Sequence, residues 1–259
     1  MRNVLQTIAV AFAMFSAIPF PQPVWNEKNM RYFLCAFPLV GAVCGLLWWG
    51  WAALMEYAGG SVLLLAGGLC VIPVSVTGGI HLDGYADTSD ALGSNGSREK
   101  KREILKDPRC GVFAVIRLCT WFTAYFAFCA SVRWDTRALC CMSIAFVLER
   151  CLSGFAIAAF PLAGNTGLAH TFATAADKKK VRAVLAAASA LFAAALIFTG
   201  GLAGAAMVVA AGWIFWRYYR VSKTQFGGIT GDLAGWFLQR AELWMLGALA
   251  VAQLLEGIV

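Results

Sequence analysis

Residues 61–90 read SVLLLAGGLCVIPVSVTGGIHLDGYADTSD, an uncharged run of twenty residues that passes directly into a polar stretch with carboxylates at Asp83, Asp87 and Asp90. An apolar run of about 20 residues is long enough to cross a bilayer as a helix. On a helix that advances about 100° per residue, positions 83, 87 and 90 fall within roughly 60° of one another. Three anions then share one face. Like charges one turn apart destabilise a helix by a few tenths of a kcal/mol, so the spacing predicts a bound cation. Mg²⁺ suits the donors, because it takes carboxylate oxygens together with water and substrate phosphates.

The same apolar character extends along the chain. Of 259 residues, 60% are hydrophobic and 14% charged, and the mean hydropathy is +0.70. These values exclude an ordinary water-soluble domain and predict an all-α, polytopic membrane helix bundle. Seven runs qualify as spans: 32–57, 61–80, 111–132, 138–162, 181–198, 200–216 and 241–258. An eighth, 4–20, carries Gln6 and Thr7 and ends in Pro19 and Pro21; it is open to spanning, re-entering or lying on the surface. No small-x-small cleavage site follows it, so a cleaved leader is not expected. With no linker or low-complexity tail in view, residues 1–259 are read as one membrane-embedded domain.

Charge sets the orientation. Fifteen Lys and Arg fall in the loops on the side of the Asp cluster, among them Lys28, Arg98, Lys106, Arg109, Lys178 and Arg220, against Arg133 and Arg137 on the other. The positive-inside rule places the cluster at the cytoplasmic face. The formal net charge of +7 then reads as contact with anionic lipid headgroups, and no interleaving of basic and aromatic residues suggests nucleic acid. Nine cysteines without a CxxC pair read as small buried hydrophobes, consistent with a reducing compartment. No internal repeat is evident, which weighs against a transporter built from repeated halves. Oligomerisation is left open.

Three long connections on the charged side hold the remaining candidates. The first, 81–110, exceeds a plain link between packed helices; it carries the Asp cluster, a Gly93–Gly96 turn, a short helix over 98–106 with Glu99/Arg102 and Glu103/Lys106 pairs, and Lys106 and Arg109 around Pro108. The second, 162–182, ends in Lys178, Lys179 and Lys180, read as a topology signal. The third, 217–239, contains Gly227, Gly228, Gly231 and Asp232, where the glycines suggest backbone approaching a ligand. Inside the spans, Glu149 and Arg150 are costly in lipid and should face the protein interior, either as a structural ion pair or as a substrate contact. Carboxylates for a metal with Lys and Arg nearby are what phosphoryl transfer requires. The residues alone therefore predict a phosphotransferase at the membrane surface.

The wording of residues 78–90 also resembles the signature of the cobalamin synthase family, the adenosylcobinamide-GDP ribazoletransferases. The resemblance continues through 15–21, 37–41, the Lys106–Gly111 segment, Glu149–Arg150 and the 227–232 segment. It implies a bacterial inner-membrane enzyme that joins α-ribazole, or its 5′-phosphate, to adenosylcobinamide-GDP with Mg²⁺, releasing GMP. On this reading Asp83, Asp87 and Asp90 hold the metal and diphosphate, one of them or Asp232 takes the hydroxyl proton, and Lys106, Arg109, Arg150 and Gly231 contact substrate. His81 joins them as a substrate contact and an alternative base, although on a helix it points away from the Asp face and a structural hydrogen bond is preferred. The chain departs from the family pattern at Ala91, at Ser16–Ala17, at Gly164 and at Gln239, which bears on substrate contacts outside the Asp site.

Two rivals differ in observable ways. A CDP-alcohol phosphatidyltransferase also uses a membrane-surface Asp cluster, but its pattern needs an Ala-Arg soon after the first Asp-Gly, which this chain lacks. A cation transporter would want intramembrane carboxylates along its path, whereas these lie at the end of a span beside a basic extramembrane segment.

Overall fold

The structure is a computed structural model that describes residues 2–165 and 167–256. It is helical throughout, with α1 (Arg2–Phe15), α2 (Glu27–Met30), α3 (Phe33–Ala58), α4 (Val62–Thr77), α5 (Ile80–Gly93), α6 (Arg98–Ile104), α7 (Val112–Ser131), α8 (Thr136–Ala159), α9 (Leu168–Ala175), α10 (Lys178–Val221), a π-helical turn over Ser222–Phe226, and α11 (Gly231–Glu256). No β-strand forms among the described residues; one parallel bridge joins Leu162 to Ile229.

Helices α3, α7, α8 and α10 are long and apolar enough to cross a membrane, and α4 and α5 form a bent pair. At 44 residues, α10 would reach about 66 Å if straight, twice a hydrocarbon core of about 30 Å. Gly201, at φ 55° and ψ −126°, breaks it. Gly204 is thereby brought against the Leu196 carbonyl, eight residues back, which a continuous helix would hold about 12 Å away. The two limbs fold back on each other as separate passes, as the 181–198 and 200–216 runs predict.

Polar contacts locate both ends of the bundle. At the end away from the Asp cluster, the Arg137 guanidinium donates to the Gly200 carbonyl and lies 3.8 Å from Glu256, while Arg133 N donates to Gln253 Oε1 at 2.8 Å. At the other end Arg31 bridges to Asp177, the N-cap of α10, at 2.9 Å. Arg133 and Arg137 are thus separated from the rest of the loop cations, as the charge count anticipates.

Helix α8 is the central post, packed against α3, α10 and α11. Trp48 of α3 meets Phe146 of α8 edge-on at 5.0 Å, and Trp121 of α7 stacks on Tyr125 at 4.6 Å while donating to the Gln239 carbonyl at 2.9 Å. At 14 residues, α1 reaches about 21 Å, short of a full crossing. It ends with Phe15 against Phe37 at 4.2 Å, and Ala17 N then donates to the Val76 carbonyl at the foot of α4.

Two expectations need correction. The last helix starts at Gly231, ten residues before the expected span, because Thr230 caps it: its hydroxyl accepts from Leu233 N at 3.2 Å. The third connection is therefore mostly helical. In α6 the pairs Glu99/Arg102 and Glu103/Lys106 do not form. Lys100 pairs with Glu103 at 3.1 Å instead, and Arg98 and Arg102 donate to the carbonyls of Thr224 and Phe226 in the π-helical turn. The unfilled carbonyls of that turn draw the cations away from their helical neighbours.

Candidate active site

Gly78 and Gly79, both at positive φ (65° and 79°), end α4 and turn the chain 93° into α5. Such a turn is open to glycine because it has no β-carbon to clash. The polar helix α5 therefore leaves the span and crosses the first turns of α11. Two further glycines let the backbones meet. A β-carbon on Gly84 would lie 2.8 Å from the Asp232 Cα and carbonyl, and one on Gly235 would lie 2.7 Å from the His81 carbonyl. This crossing sets Asp232 beside the carboxylates of α5.

Three cavities meet at the crossing. An outer cleft of about 650 Å³ runs between α5, including Asp83 and Asp87, and the Leu105–Cys110 segment. A second pocket of about 330 Å³ holds Arg102, Lys106, His170, Gly231 and Asp232. An inner chamber of about 290 Å³ lies between α1, α3, α5, α8, α9 and α11. Lys106 lines the first two, Asp83 the first and third, and Asp232 the second and third.

Among the described residues, none of Asp83, Asp87, Asp90 and Asp232 makes a salt bridge. Burial, and after it the neighbouring Asp83, Asp232 and Asp90 charges, push the Asp87 carboxyl up to about 6. All-carboxylate oxygen donors of this kind are chemically suited to Mg²⁺. Among the described residues no three acidic, imidazole or thiol groups already converge closely enough to hold a metal. Asp90 is turned toward the start of α7, with its carboxylate against Gly111, whereas Asp83 and Asp87 line the outer cleft and Asp232 the two adjoining pockets.

The basic candidates behave differently. Arg109 is clamped by Asp107, with Nε and Nη2 donating to its two carboxylate oxygens at 2.9 and 2.7 Å. These bonds pull Asp107 down to about 2. The Arg109 side chain is 87% exposed at the rim of the outer cleft. Arg150 lines none of the three cavities. It is buried in the bundle, where Nη1 donates to Glu149 Oε1 at 2.6 Å and to the Phe146 carbonyl at 2.9 Å. The structure thus places Arg150 in an ion pair with Glu149 inside the bundle.

His81 is buried and lines the inner chamber on the same side as Asp83. Among the described residues its Nε2 has no hydrogen-bond partner. The Gly-rich segment also divides. Gly228 packs against Leu162 and Ala163, whereas Gly231 faces open space. Sequence reasoning missed Arg102, His170 and Ser153 as cavity residues. They lie on three separate elements and carry no motif of their own.

The pattern of the CobS family, cobalamin-5-phosphate synthase, matches residues 7–250. An adenosylcobinamide-GDP ribazoletransferase of Lachnoclostridium phytofermentans is 37% identical over 98% of this chain and 96% of its own length. Proteins of the same name from Clostridium perfringens and Pseudomonas savastanoi pv. phaseolicola are 30% and 33% identical, each over 93% of this chain and over 96% and 98% of their own lengths. No solved structure matches significantly. With a full-length match to the family and the carboxylate cleft in place, the chain belongs to the cobalamin-5-phosphate synthase family.

Proposed function

We propose that this membrane transferase, a ribazoletransferase by family, joins α-ribazole or its 5′-phosphate to adenosylcobinamide-GDP, with release of GMP, at the cytoplasmic face of the bacterial inner membrane. The observation that carries the reading is the set of Asp83, Asp87 and Asp232, which have no salt-bridge partner among the described residues and share their cavities with Lys106. Fifteen loop cations at that end against two at the other support the orientation.

Asp83, Asp87 and Asp232 would hold Mg²⁺, with Asp90 one turn further along α5. When bound, the ion supplies Lewis-acid stabilisation of charge on the phosphate oxygens. The rest falls to the chain. A ribose hydroxyl of α-ribazole attacks the phosphorus attached to the cobinamide side chain, its P–O bond to GMP breaks, and GMP leaves with the bonding pair. Asp83 or Asp232, at the junction of the cavities, accepts the hydroxyl proton. Lys106 and Arg109 neutralise the diphosphate and the charge that develops on GMP. The Gly84–Asp232 crossing holds the acceptor carboxylate against α5, which keeps nucleophile and phosphorus in register.

The test is GMP and adenosylcobalamin formation from both substrates, with protein in liposomes, with and without Mg²⁺, alongside Asp83→Asn. Metal-dependent product that is lost in the variant supports the reading. Absence of product from folded wild-type protein with either form of α-ribazole overturns it.

A further inference from the structure

Asp83 and Asp232 separate the inner chamber from the two outer cavities, and the chemistry of that chamber differs from theirs. Its wall is aromatic. Phe15 packs on Phe37 at 4.2 Å and edge-on against Phe172 at 5.6 Å, and Phe37 lies 5.7 Å from the His81 ring. Within that wall two side chains have polar atoms without partners: Nε2 of His81, a residue 6% exposed, and Oγ of Ser153, which is fully buried. A buried polar atom left unpaired is destabilising. Both residues line the chamber, which makes it a place where a ligand can supply a bond that the chain does not.

We infer that the inner chamber is the subsite for the benzimidazole base of α-ribazole, with His81 and Ser153 as its polar contacts. The inference rests on the ribazoletransferase reading and extends it to a part of the substrate. At about 290 Å³ the chamber sits at the small end of organic-ligand pockets, roughly 300–1,000 Å³. That suits a flat bicyclic ring and excludes a corrinoid. The other flat ring in the reaction is guanine, whose N–H donors would take the Asp83 and Asp232 carboxylates that also line the chamber and that this reading assigns to Mg²⁺, and whose acceptors N7, O6 and N3 outnumber the donors of His81 and Ser153. A dimethylbenzimidazole presents methyl groups and a single free ring nitrogen, an acceptor that the Ser153 hydroxyl or a protonated His81 Nε2 satisfies. Aromatic edges at 4.5–7 Å are the usual geometry for holding such a ring. With the base seated inside, the attached ribose emerges between Asp83 and Asp232, facing the cavities that hold Lys106 and Arg109.

The experiment is steady-state kinetics with Mg²⁺ on Ser153→Leu, which fills the chamber from α8 and removes the hydroxyl. The expected result is a rise of tenfold or more in KM for α-ribazole, with KM for adenosylcobinamide-GDP within twofold of wild type. A rise confined to adenosylcobinamide-GDP would give the chamber to guanine and overturn the inference, as would equal rises or none. Ile157→Phe, one turn further along α8 and also lining the chamber, must give the same split, and serves if Ser153→Leu fails to fold. Wild-type protein that makes cobalamin while both variants lack the split sinks the chamber alone; wild-type protein that makes none sinks the ribazoletransferase reading with it.

Discussion

The backbone of Gly84 on α5 rests against the backbone of Asp232 on α11, so closely that a β-carbon at residue 84 would come within 2.8 Å of the Asp232 Cα. Neither atom can retreat easily, because both belong to helices in which Gly235 repeats the contact one turn along against His81. Gly84→Ala should therefore push α5 away from Asp232 and lower kcat at least tenfold. Gly212→Ala, where a β-carbon meets nothing within 4 Å, is the matched control and should leave turnover unchanged. Equal activity in the two variants would show that the crossing does not position the carboxylates.

The carboxylates themselves should divide by location. Asp83 and Asp232 each line two cavities, whereas Asp90 faces Gly111. Replacing a group that assists proton transfer costs about 10²–10⁴ in rate, so Asp83→Asn and Asp232→Asn should each lose about that much of kcat. Asp90→Asn should lose less and should raise the Mg²⁺ concentration needed for half-maximal activity. Mg²⁺ titrations of the three variants decide it; a loss at Asp90 as large as at Asp83 would restore the three-Asp metal set expected from spacing alone.

That spacing shows what the sequence made legible. Spans announced themselves because lipid demands long uncharged runs, and four helices are long and apolar enough to cross. The Asp face of α5 was readable from a 3.6-residue period. What the period could not supply was the partner helix: Asp232 lies some 140 residues downstream, and only the Gly84 and Gly235 contacts bring it home. For Arg150 the sequence left an ion pair and a substrate contact both open. A charge within a span signals burial equally well whether it meets substrate or its neighbour Glu149, and only packing separates the two. Ser153 and Phe172 were silent, because a serine or phenylalanine in a membrane helix is ordinary until its cavity is seen.

The buried pair gives a stability prediction. Arg150 is 1% exposed and Glu149 fully buried, and removing one partner of a buried ion pair costs about 3–5 kcal/mol because the other charge is left uncompensated. Arg150→Met should lower the melting temperature in detergent markedly while leaving both KM values of the surviving folded fraction near wild type. A selective rise in one KM with unchanged stability would return Arg150 to the substrate site.

Asp87 predicts a pH dependence. Its carboxyl titrates at about 6 in the fold against 3.8 ordinarily, so the folded state binds the proton more tightly than the unfolded chain does. Its contribution to stability is complete below about pH 4 and is lost as pH rises through about 6. In Mg²⁺-free detergent the melting temperature should fall between pH 5 and pH 7. Asp87→Asn should flatten that slope, and Mg²⁺ at pH 7 should restore the loss in wild type but less in the variant. An identical slope in Asp87→Asn would assign the effect elsewhere.

Arg109 and Asp107 set the last expectation. The guanidinium stands at the rim of the outer cleft, and both Asp107 oxygens hold it there in a two-point grip. A diphosphate entering the cleft competes for the same fork of donors, and its charge makes it the stronger acceptor. Arg109→Ala should thus raise KM for adenosylcobinamide-GDP about tenfold and leave KM for α-ribazole near wild type. Asp107→Ala separates two roles for the grip. If Asp107 only occupies the guanidinium, its loss frees Arg109 and lowers that KM; if it aims Arg109 at the diphosphate, its loss raises the KM toward the Arg109→Ala value. The exposure of the arginine favours aiming, because a long side chain that is 87% exposed has many rotamers to lose on binding, and Asp107 removes most of them beforehand. The double variant should then be no worse than Arg109→Ala alone, and a further loss would show that Asp107 acts on the substrate by another route.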